Sequence, residues 1–366
     1  MAILISEARI RTRAAEAHIA RLCADIAKFD LFTATCSVET GRAELPWGLA
    51  TMRAEAEALL MRAEARDEEA LSTLKFVLAE RLTALAADEK PEIVWTGDGC
   101  GGTVLPSFRE MRVKRWVDVT PHVRRITFSG EDLGRFDSAS LHLRLLIPPA
   151  GLDVPEWPVP GRDGRPAWPP EGRRPAARTY TARRVDVAAG ELDVDFVMHG
   201  DEGVASAWAA RARAGQVVGM LGPGGSRMPA ADWHLFAGDE TALPAMARLI
   251  GGLPGTARGL AFIEVEDARD EQPIASKAAI DIVWLHRNGV PSGQSPALER
   301  HVRAVEWPKQ GTCFGWLGAE AATVKAIRRH WRQDLGLERG QHLAVAYWRL
   351  GKSEAEARAE PAGDDT

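Results

Sequence analysis

The chain has 366 residues, 45% hydrophobic and 27% charged, ordinary values for a globular protein of two or three domains. Its 46 basic and 51 acidic residues are well mixed and leave a net charge of −5, which gives no field for a nucleic-acid partner. No run approaches the ~20 apolar residues needed to span a bilayer. Met1 to Glu7 lack the basic and apolar regions of a signal peptide, so a cytoplasmic protein with no stable membrane association is expected. Cys23, Cys36, Cys100 and Cys313 are scattered with no Cys-x-x-Cys pair, which predicts reduced thiols and neither a zinc site nor an iron–sulfur cluster.

The first domain is placed at residues 1–98 as a small α+β unit. Ile19, Leu22, Cys23 and Ile26 keep helical spacing, as do Leu71, Leu74, Leu78 and Leu85. Thr33 to Leu45 reads as a hairpin turning near Gly41, the Ala- and Glu-rich stretch from Ala50 to Arg66 as another helix, and Glu92 to Trp95 as a closing strand. Thr96 to Gly102 holds four glycines in seven residues and reads as a flexible run, giving a linker at 99–107.

Residues 108–230 are strand-rich. Leu141, Leu143, Leu145 and Ile147 alternate with His142, Arg144 and Leu146, and Leu192, Val194, Phe196 and Met198 with Asp193, Asp195 and Val197. Period two with one buried face predicts an antiparallel barrel or sandwich. Pro148 to Pro175 holds nine of the 22 prolines, so an insertion at 148–177 is expected to run over the surface. Residues 231–352 change rhythm. Strands at 235–237, 260–265, 280–284, 312–316 and 342–348 alternate with helices, which predicts a parallel α/β sheet with ligands beyond the carboxyl ends of its strands. Residues 353–366 are polar and read as a disordered tail.

Three places can carry chemistry. Only two tyrosines occur, and one lies in Arg178-Thr179-Tyr180-Thr181-Ala182-Arg183. On a strand, Arg178 and Tyr180 share a face, able to offer a ring to a planar ligand and a guanidinium to its phosphate, or simply to form a barrel surface. His199 to Trp208 takes a strand through glycines into a helix, where free N–H groups suit a pyrophosphate or Ser206 merely caps a helix. Gly238-Asp239-Glu240-Thr241 joins a strand to a capped helix without the Gly-x-Gly-x-x-Gly fingerprint. The second tyrosine, Tyr347, stands beside Arg349, so the two rare residues bracket one site.

An antiparallel barrel with an Arg-x-Tyr-Thr strand, followed by a parallel α/β domain, resembles the ferredoxin–NADP reductase superfamily. Thr120 to Phe128, Arg178 to Arg183, His199 to Trp208, Gly222-Pro223-Gly224-Gly225, Gly238 to Pro244 and Tyr347-Trp348-Arg349 occur in order. Together they resemble the siderophore-interacting protein family of flavin-dependent ferric-siderophore reductases. The first ~98 residues are similar to a small uncharacterised domain found alone or fused to these reductases, without the His-rich stretch expected near Asp25 to Lys28.

The resemblance implies a multi-domain chain: a small N-terminal α+β domain, an antiparallel β-barrel FAD-binding domain and a C-terminal α/β parallel-sheet NAD(P)-binding domain. It implies that Arg178, Tyr180, Thr181 and Arg183 hold FAD, that His199, Gly200, Gly203, Ala205, Ser206 and Trp208 take its pyrophosphate, and that Gly238, Asp239, Glu240 and Thr241 face NAD(P)H. Arg144, Arg227 and Arg349 are the implied readers of an anionic ferric siderophore; Arg144 stands where lysine is common in the family. No side chain is implied as acid or base. Glu264, Glu266 and Asp267 suit a ribose 2′-OH and Arg269 a 2′-phosphate, which leaves NADH, NADPH or an electron-donor protein such as ferredoxin open. The competing functions are a general flavin or quinone reductase and a non-catalytic siderophore-binding module.

Overall fold

The computed structural model describes residues 2–27, 33–198, 203–225 and 227–359. The chain divides into two compact units, Met1–Phe108 with Pro149–Pro175, and Arg109–Pro148 with Ala176–Thr366.

The first unit begins with β1 (Leu4–Arg11), α1 (Ala15–Ile26), β2 (Thr33–Cys36), β3 (Thr40–Leu45), β4 (Gly48–Glu55), β5 (Ala58–Ala65), α2 (Glu68–Leu85) and β6 (Trp95–Gly97). The strands form an antiparallel sheet in the order β2-β3-β4-β5-β1-β6. Both helices bury leucines and isoleucines against one face, where Ala43, Met52, Met61 and Ala63 meet Ile19, Leu22, Leu74 and Leu78. The Asp67 carboxylate caps α2 by accepting from Ala70 N–H at 2.8 Å.

Four expectations for this region are corrected. The helix expected over Ala50 to Arg66 is the hairpin β4–β5. Its alternation of Leu59, Met61 and Ala63 with Leu60, Arg62 and Glu64 has period two, and burial of one face overrides the helix propensity of Ala and Glu. The first hairpin turns at Ser37–Glu39, with Gly41 already paired to Cys36 and Met52. The Gly-rich run is tied down at its start: Ile5 and Asp98 exchange backbone and carboxylate hydrogen bonds at 2.8 Å, and Lys75 Nζ donates to Gly99 O at 2.7 Å. Cys23 and Cys36 are joined as a disulfide with Cα atoms 6.6 Å apart, which corrects the expectation of four free thiols.

The second unit opens as an antiparallel barrel with β7 (Phe108–Thr120), β8 (Val123–Ser129) and β9 (His142–Ile147). From Pro149 to Pro175 the chain belongs to the first unit, where the ribbon of β10 (Val159–Pro160) and β11 (Pro166–Ala167) packs on Trp95. Trp95 N–H donates to Arg162 O at 2.9 Å and its indole N–H to Asp163 O at 3.1 Å. Gly164 (φ +84°) sits so close that a Cβ would lie 2.9 Å from Trp95 Nε1, so the excursion is docked rather than loose.

The barrel resumes with β12 (Ala176–Thr181), β13 (Arg184–Asp186), β14 (Glu191–Val197), α3 (Val204–Ala210) and β15 (Val217–Gly224). Its order is β12-β9-β15-β7-β8-β14-β13, and residues 182–183 close it: Ala182 N–H bonds Leu141 O and Arg183 N–H bonds Asp193 O, both at 2.8 Å. The second face of β14 is not solvated as simple alternation suggests. Asp193 and Asp195 are buried beneath arginines, with Asp195 in a fork from Arg125 at 2.6 and 2.8 Å.

The α/β half contains β16 (Trp233–Asp239), α4 (Leu243–Gly251), β17 (Arg258–Val265), β18 (Ala279–His286), α5 (Ala297–Arg303), β19 (Cys313–Glu320), α6 (Ala321–Arg329) and β20 (His342–Trp348). All five strands are parallel in the order β18-β17-β16-β19-β20. One apolar layer joins Phe236 and Ile263 to Met246 and Ile250; the other joins Leu235 and Leu317 to Val302, Ile327 and Trp331. Strand order reverses between β16 and β19, which places the crevice of a doubly wound sheet at Asp239 and Glu320. Within the tail expected to be disordered, Glu354–Ala359 form the helix α7, and residues 360–366 lie outside the described residues. The Glu354 carboxylate accepts Thr179 N–H at 3.0 Å and its hydroxyl at 2.9 Å, covering the edge of β12.

Candidate functional site

The Arg178 motif is an edge strand, and its two faces divide the expected ligand set. Tyr180 pairs with Leu143 and packs its ring on Phe196 at 4.5 Å, so burial drives its phenol pKa upward. Thr179 and Thr181 lie on the other face, opposite Arg144 and His142 of β9. Arg183 is largely covered beside Asp195 at 3.6 Å, and burial lowers its pKa.

His199 and Gly200 lie outside the described residues. Gly203 (φ +89°) precedes α3 and has no side chain to occupy the helix's first N–H groups. Ala205 and Ser206 are buried, and Ala205 joins the barrel core. Trp208 turns onto that core as well, parallel to Phe128 with ring centres 6.2 Å apart and 5.8 Å from Phe196.

At the switch point, Gly238 is required by close approach. A Cβ there would stand 2.8 Å from Ala242 Cβ, from Gly318 O and from Met246 Sδ. Asp239 is buried, accepts Thr241 N–H at 3.0 Å and Trp348 Nε1–H at 2.8 Å, and has its pKa pushed up to about 6, by burial first and Glu240 second. Glu240 binds Arg287 in a fork at 2.6 and 3.0 Å. Around the same guanidinium stand Glu264 at 3.9 Å and Glu266 at 3.4 Å. Arg269 is held by Asp267 at 2.6 Å, so the cation expected to blur donor choice is already engaged.

The barrel and the parallel sheet meet at His142, a residue that sequence reasoning passed over. Its Nε2 is 2.7 Å from the Tyr347 hydroxyl, and burial lowers its pKa. Gly225 (φ +100°) adjoins it so closely that a Cβ would lie 2.5 Å from His142 Nδ1. Each implied substrate arginine is two positions from a member of this contact: Arg144 from His142, Arg227 from Gly225, and Arg349 from Tyr347. Arg248, also passed over, reaches from α4 to the barrel and donates to Ala182 O at 2.7 Å, Phe136 O at 2.8 Å and Ser138 O at 3.1 Å. Its partners lie 66 to 112 positions away, so no local pattern marks it.

The donor set fits a flavin dinucleotide. Arg178, with one N–H on Ala177 O at 2.9 Å, and Arg183, beside Asp195 at 3.6 Å, keep further donors for phosphate charge, Thr181 carries a hydroxyl, and Gly203 at the α3 start offers backbone approach without a Cβ. Among the described residues no group of three or more His, Cys, Asp or Glu is placed to hold a metal.

A barrel bearing Arg-x-Tyr-Thr, joined to a doubly wound parallel sheet with a glycine close approach at its switch point, is the architecture of a flavin- and nicotinamide-dependent reductase. Residues 112–227 match the siderophore-interacting FAD-binding domain and residues 231–351 the siderophore-interacting protein model. The chain belongs to the siderophore-interacting protein family. Residues 7–96 match an uncharacterized protein conserved in bacteria (DUF2218). The chain is 32% identical over 257 residues to the ferric vibriobactin reductase ViuB of Vibrio cholerae, covering 69% of this chain and 92% of that protein. It is 30% identical over 249 residues to the NADPH-dependent ferric-chelate reductase of Escherichia coli, covering 66% and 92% respectively. The crystal structure of a siderophore utilization protein from T. fusca superposes with a TM-score of 0.61 at 38% identity, over 67% of this chain and 94% of that one.

Proposed function

We propose that this protein is an FAD-dependent ferric-siderophore reductase that draws electrons from a nicotinamide nucleotide and releases Fe(II) in the cytoplasm. The observation that carries this reading is the convergence at His142. The flavin strand's neighbour β9, the Gly225 turn and the end of β20 meet there, each with an arginine two positions away. Bound FAD supplies the conversion between a two-electron hydride donor and a one-electron ferric acceptor.

The chain's own residues bind and orient. Arg178 and Arg183 offset the phosphate charge, while Tyr180, fixed on Phe196, holds the strand that carries Thr181. Arg144, Arg227 and Arg349 raise the local concentration of an anionic chelate on a chain of net charge −5, because a basic rim acts locally. Fe(II) is held less tightly than Fe(III) by hard oxygen donors, so electron transfer itself frees the metal.

The acidic surroundings of Arg287 and the pinning of Arg269 favour NADH over NADPH, since a 2′-phosphate would meet Glu240, Glu264, Glu266 and Asp267. Stopped-flow reduction should give a kcat/KM for NADH at least tenfold above that for NADPH; a ratio reversed in favour of NADPH refutes the donor assignment. A separate electron-donor protein would show itself as flavin reduction that neither nucleotide supports. The substrate reading is tested with the combined variant Arg144→Ala, Arg227→Ala, Arg349→Ala. Ferric-siderophore reduction is expected to fall at least tenfold while reduction of a neutral quinone persists, and equal losses on both would identify a general flavin or quinone reductase.

A further inference from the structure

Both partners of the His142–Tyr347 bond stand at breaks in strand register. On β20, Ala346 pairs with Ala319 and Trp348 with Glu320, so Tyr347 is the extra residue of a bulge. On β15, Leu221 pairs with Arg144 and Gly224 with His142, so a second bulge lies opposite His142. A bulge re-aims side chains out of the regular alternation, and one in a parallel pair is uncommon. Here the Tyr347 hydroxyl comes to 2.7 Å from His142 Nε2, with the two rings edge to face at 5.5 Å. Trp316 backs the tyrosine, its ring also edge-on at 6.1 Å.

The bond joins two neutral groups. Burial lowers the imidazole pKa, while burial and then the Asp239 charge raise that of the phenol. The contact therefore persists as salt rises, whereas attraction between exposed arginines and an anion fades.

Its place decides what it can hold. His142 pairs with Thr181 of the flavin strand and Arg144 with Thr179, so His142 and Arg144 share a face beside that strand. Beyond Tyr347 the chain turns at Arg349, whose O accepts Lys352 N–H at 3.1 Å, and Glu354 then returns to Thr179. Residues 347–354 are thus anchored on both rows, with the exposed Arg349 between the anchors.

We infer that Tyr347 is a positioning residue for the anionic chelate: through His142 it fixes Arg349 relative to Arg144, so that both guanidiniums meet one ligand. The inference rests on the reductase reading given above; the bulged, neutral contact does not. Neither ring has to touch the chelate or transfer a proton.

The test uses the full FAD-loaded chain, with ferric tris-catecholate, a trianion, and a neutral quinone as alternative acceptors. Tyr347→Phe deletes one oxygen and keeps the ring. The KM for the tris-catecholate should rise about fivefold with kcat little changed, as loss of one positioning hydrogen bond allows. Quinone reduction and flavin reduction by NADH should stay at wild-type values. The Kd of gallium(III) tris-catecholate, which is not reduced, should weaken by the same factor in calorimetry. Because the tyrosine acts through Arg349, Tyr347→Phe should add little to the loss caused by Arg349→Ala alone. His142→Gln, which keeps a polar atom near the place of Nε2, should lose less than His142→Leu. Unchanged chelate KM and gallium-complex Kd in Tyr347→Phe overturn the inference and leave the reductase reading intact. Equal losses on quinone and chelate, or a full added loss on top of Arg349→Ala, also overturn it, since either shows that the tyrosine does not act through that arginine. A wild type that reduces the quinone and not the chelate overturns the reductase reading, and this inference with it.

Discussion

Replacing Arg248 with alanine removes the fork that ties α4 to three backbone carbonyls of the barrel, one of them at Ala182, directly after the flavin strand. A hydrogen bond from a charged donor contributes roughly 1.5–3 kcal/mol. The side chain is only 16% exposed, so screening is modest, although water would recover part of the loss at the carbonyls. The expected cost is therefore about 3–5 kcal/mol, below the simple sum of three bonds. At roughly 2–4 °C per kcal/mol for a body of this size, the melting temperature should drop by roughly 6–20 °C. The assays are urea unfolding followed by tryptophan fluorescence and FAD retention on dialysis. FAD affinity should weaken about tenfold, because Ala182 fixes the end of the strand that carries Thr181. Arg248→Lys should fall between wild type and alanine, since it keeps the charge and loses the fork. A loss below about 1 kcal/mol with unchanged FAD affinity would refute the view that this contact sets the barrel against the nucleotide domain.

Two further outcomes follow from the same structure. Asp239 has a folded-state pKa near 6, above its unfolded value, so its proton is held more tightly in the folded chain and its protonation stabilises as pH falls through about 6. If Asp239 faces the nicotinamide nucleotide as proposed, the KM for NADH should fall several-fold between pH 7.5 and 5.5 as that charge is lost, and Asp239→Asn should remove the dependence; identical pH profiles in both proteins would contradict the placement of the nucleotide. Trp95→Ala removes a buried ring and its bond to Asp163 O, so the first unit should lose about 3–5 kcal/mol and trypsin should cut after Arg162 at least ten times faster; unchanged protection of that segment would show that Trp95 does not hold it.

Much of the architecture was legible because hydrophobic periodicity is a local signal. The alternation at Leu141 to Ile147 and at Leu192 to Phe196 marks barrel strands, and the apolar runs at 235–237 and 260–265 mark buried parallel ones. Ala50 to Arg66 misleads because alanine and glutamate favour helix intrinsically, while the deciding force is burial of Met52, Met61 and Ala63 against α1 and α2. The glycines near 97–101 mark positive φ rather than freedom, since Asp98 binds back to Ile5. The prolines of 148–175 exclude a core strand without revealing that Trp95 docks the segment. Of the candidate site, the motifs on single strands were visible. His142, Arg248 and Arg287 were not, because each is defined by partners far along the chain; His142 and Tyr347 are 205 positions apart.

The proposed function requires that electrons pass from a nicotinamide nucleotide through bound flavin to a ferric chelate. The most direct measurement is the anaerobic absorption spectrum of the FAD-loaded full chain during sequential addition of NADH and a ferric siderophore, with a ferrous chromophore present. The flavin band should bleach with NADH and return on adding the siderophore, while ferrous complex appears at two equivalents per flavin, as the balance of one hydride against two one-electron acceptors requires. A chain that retains no FAD, or one whose reduced flavin persists in the presence of the ferric siderophore, would contradict it.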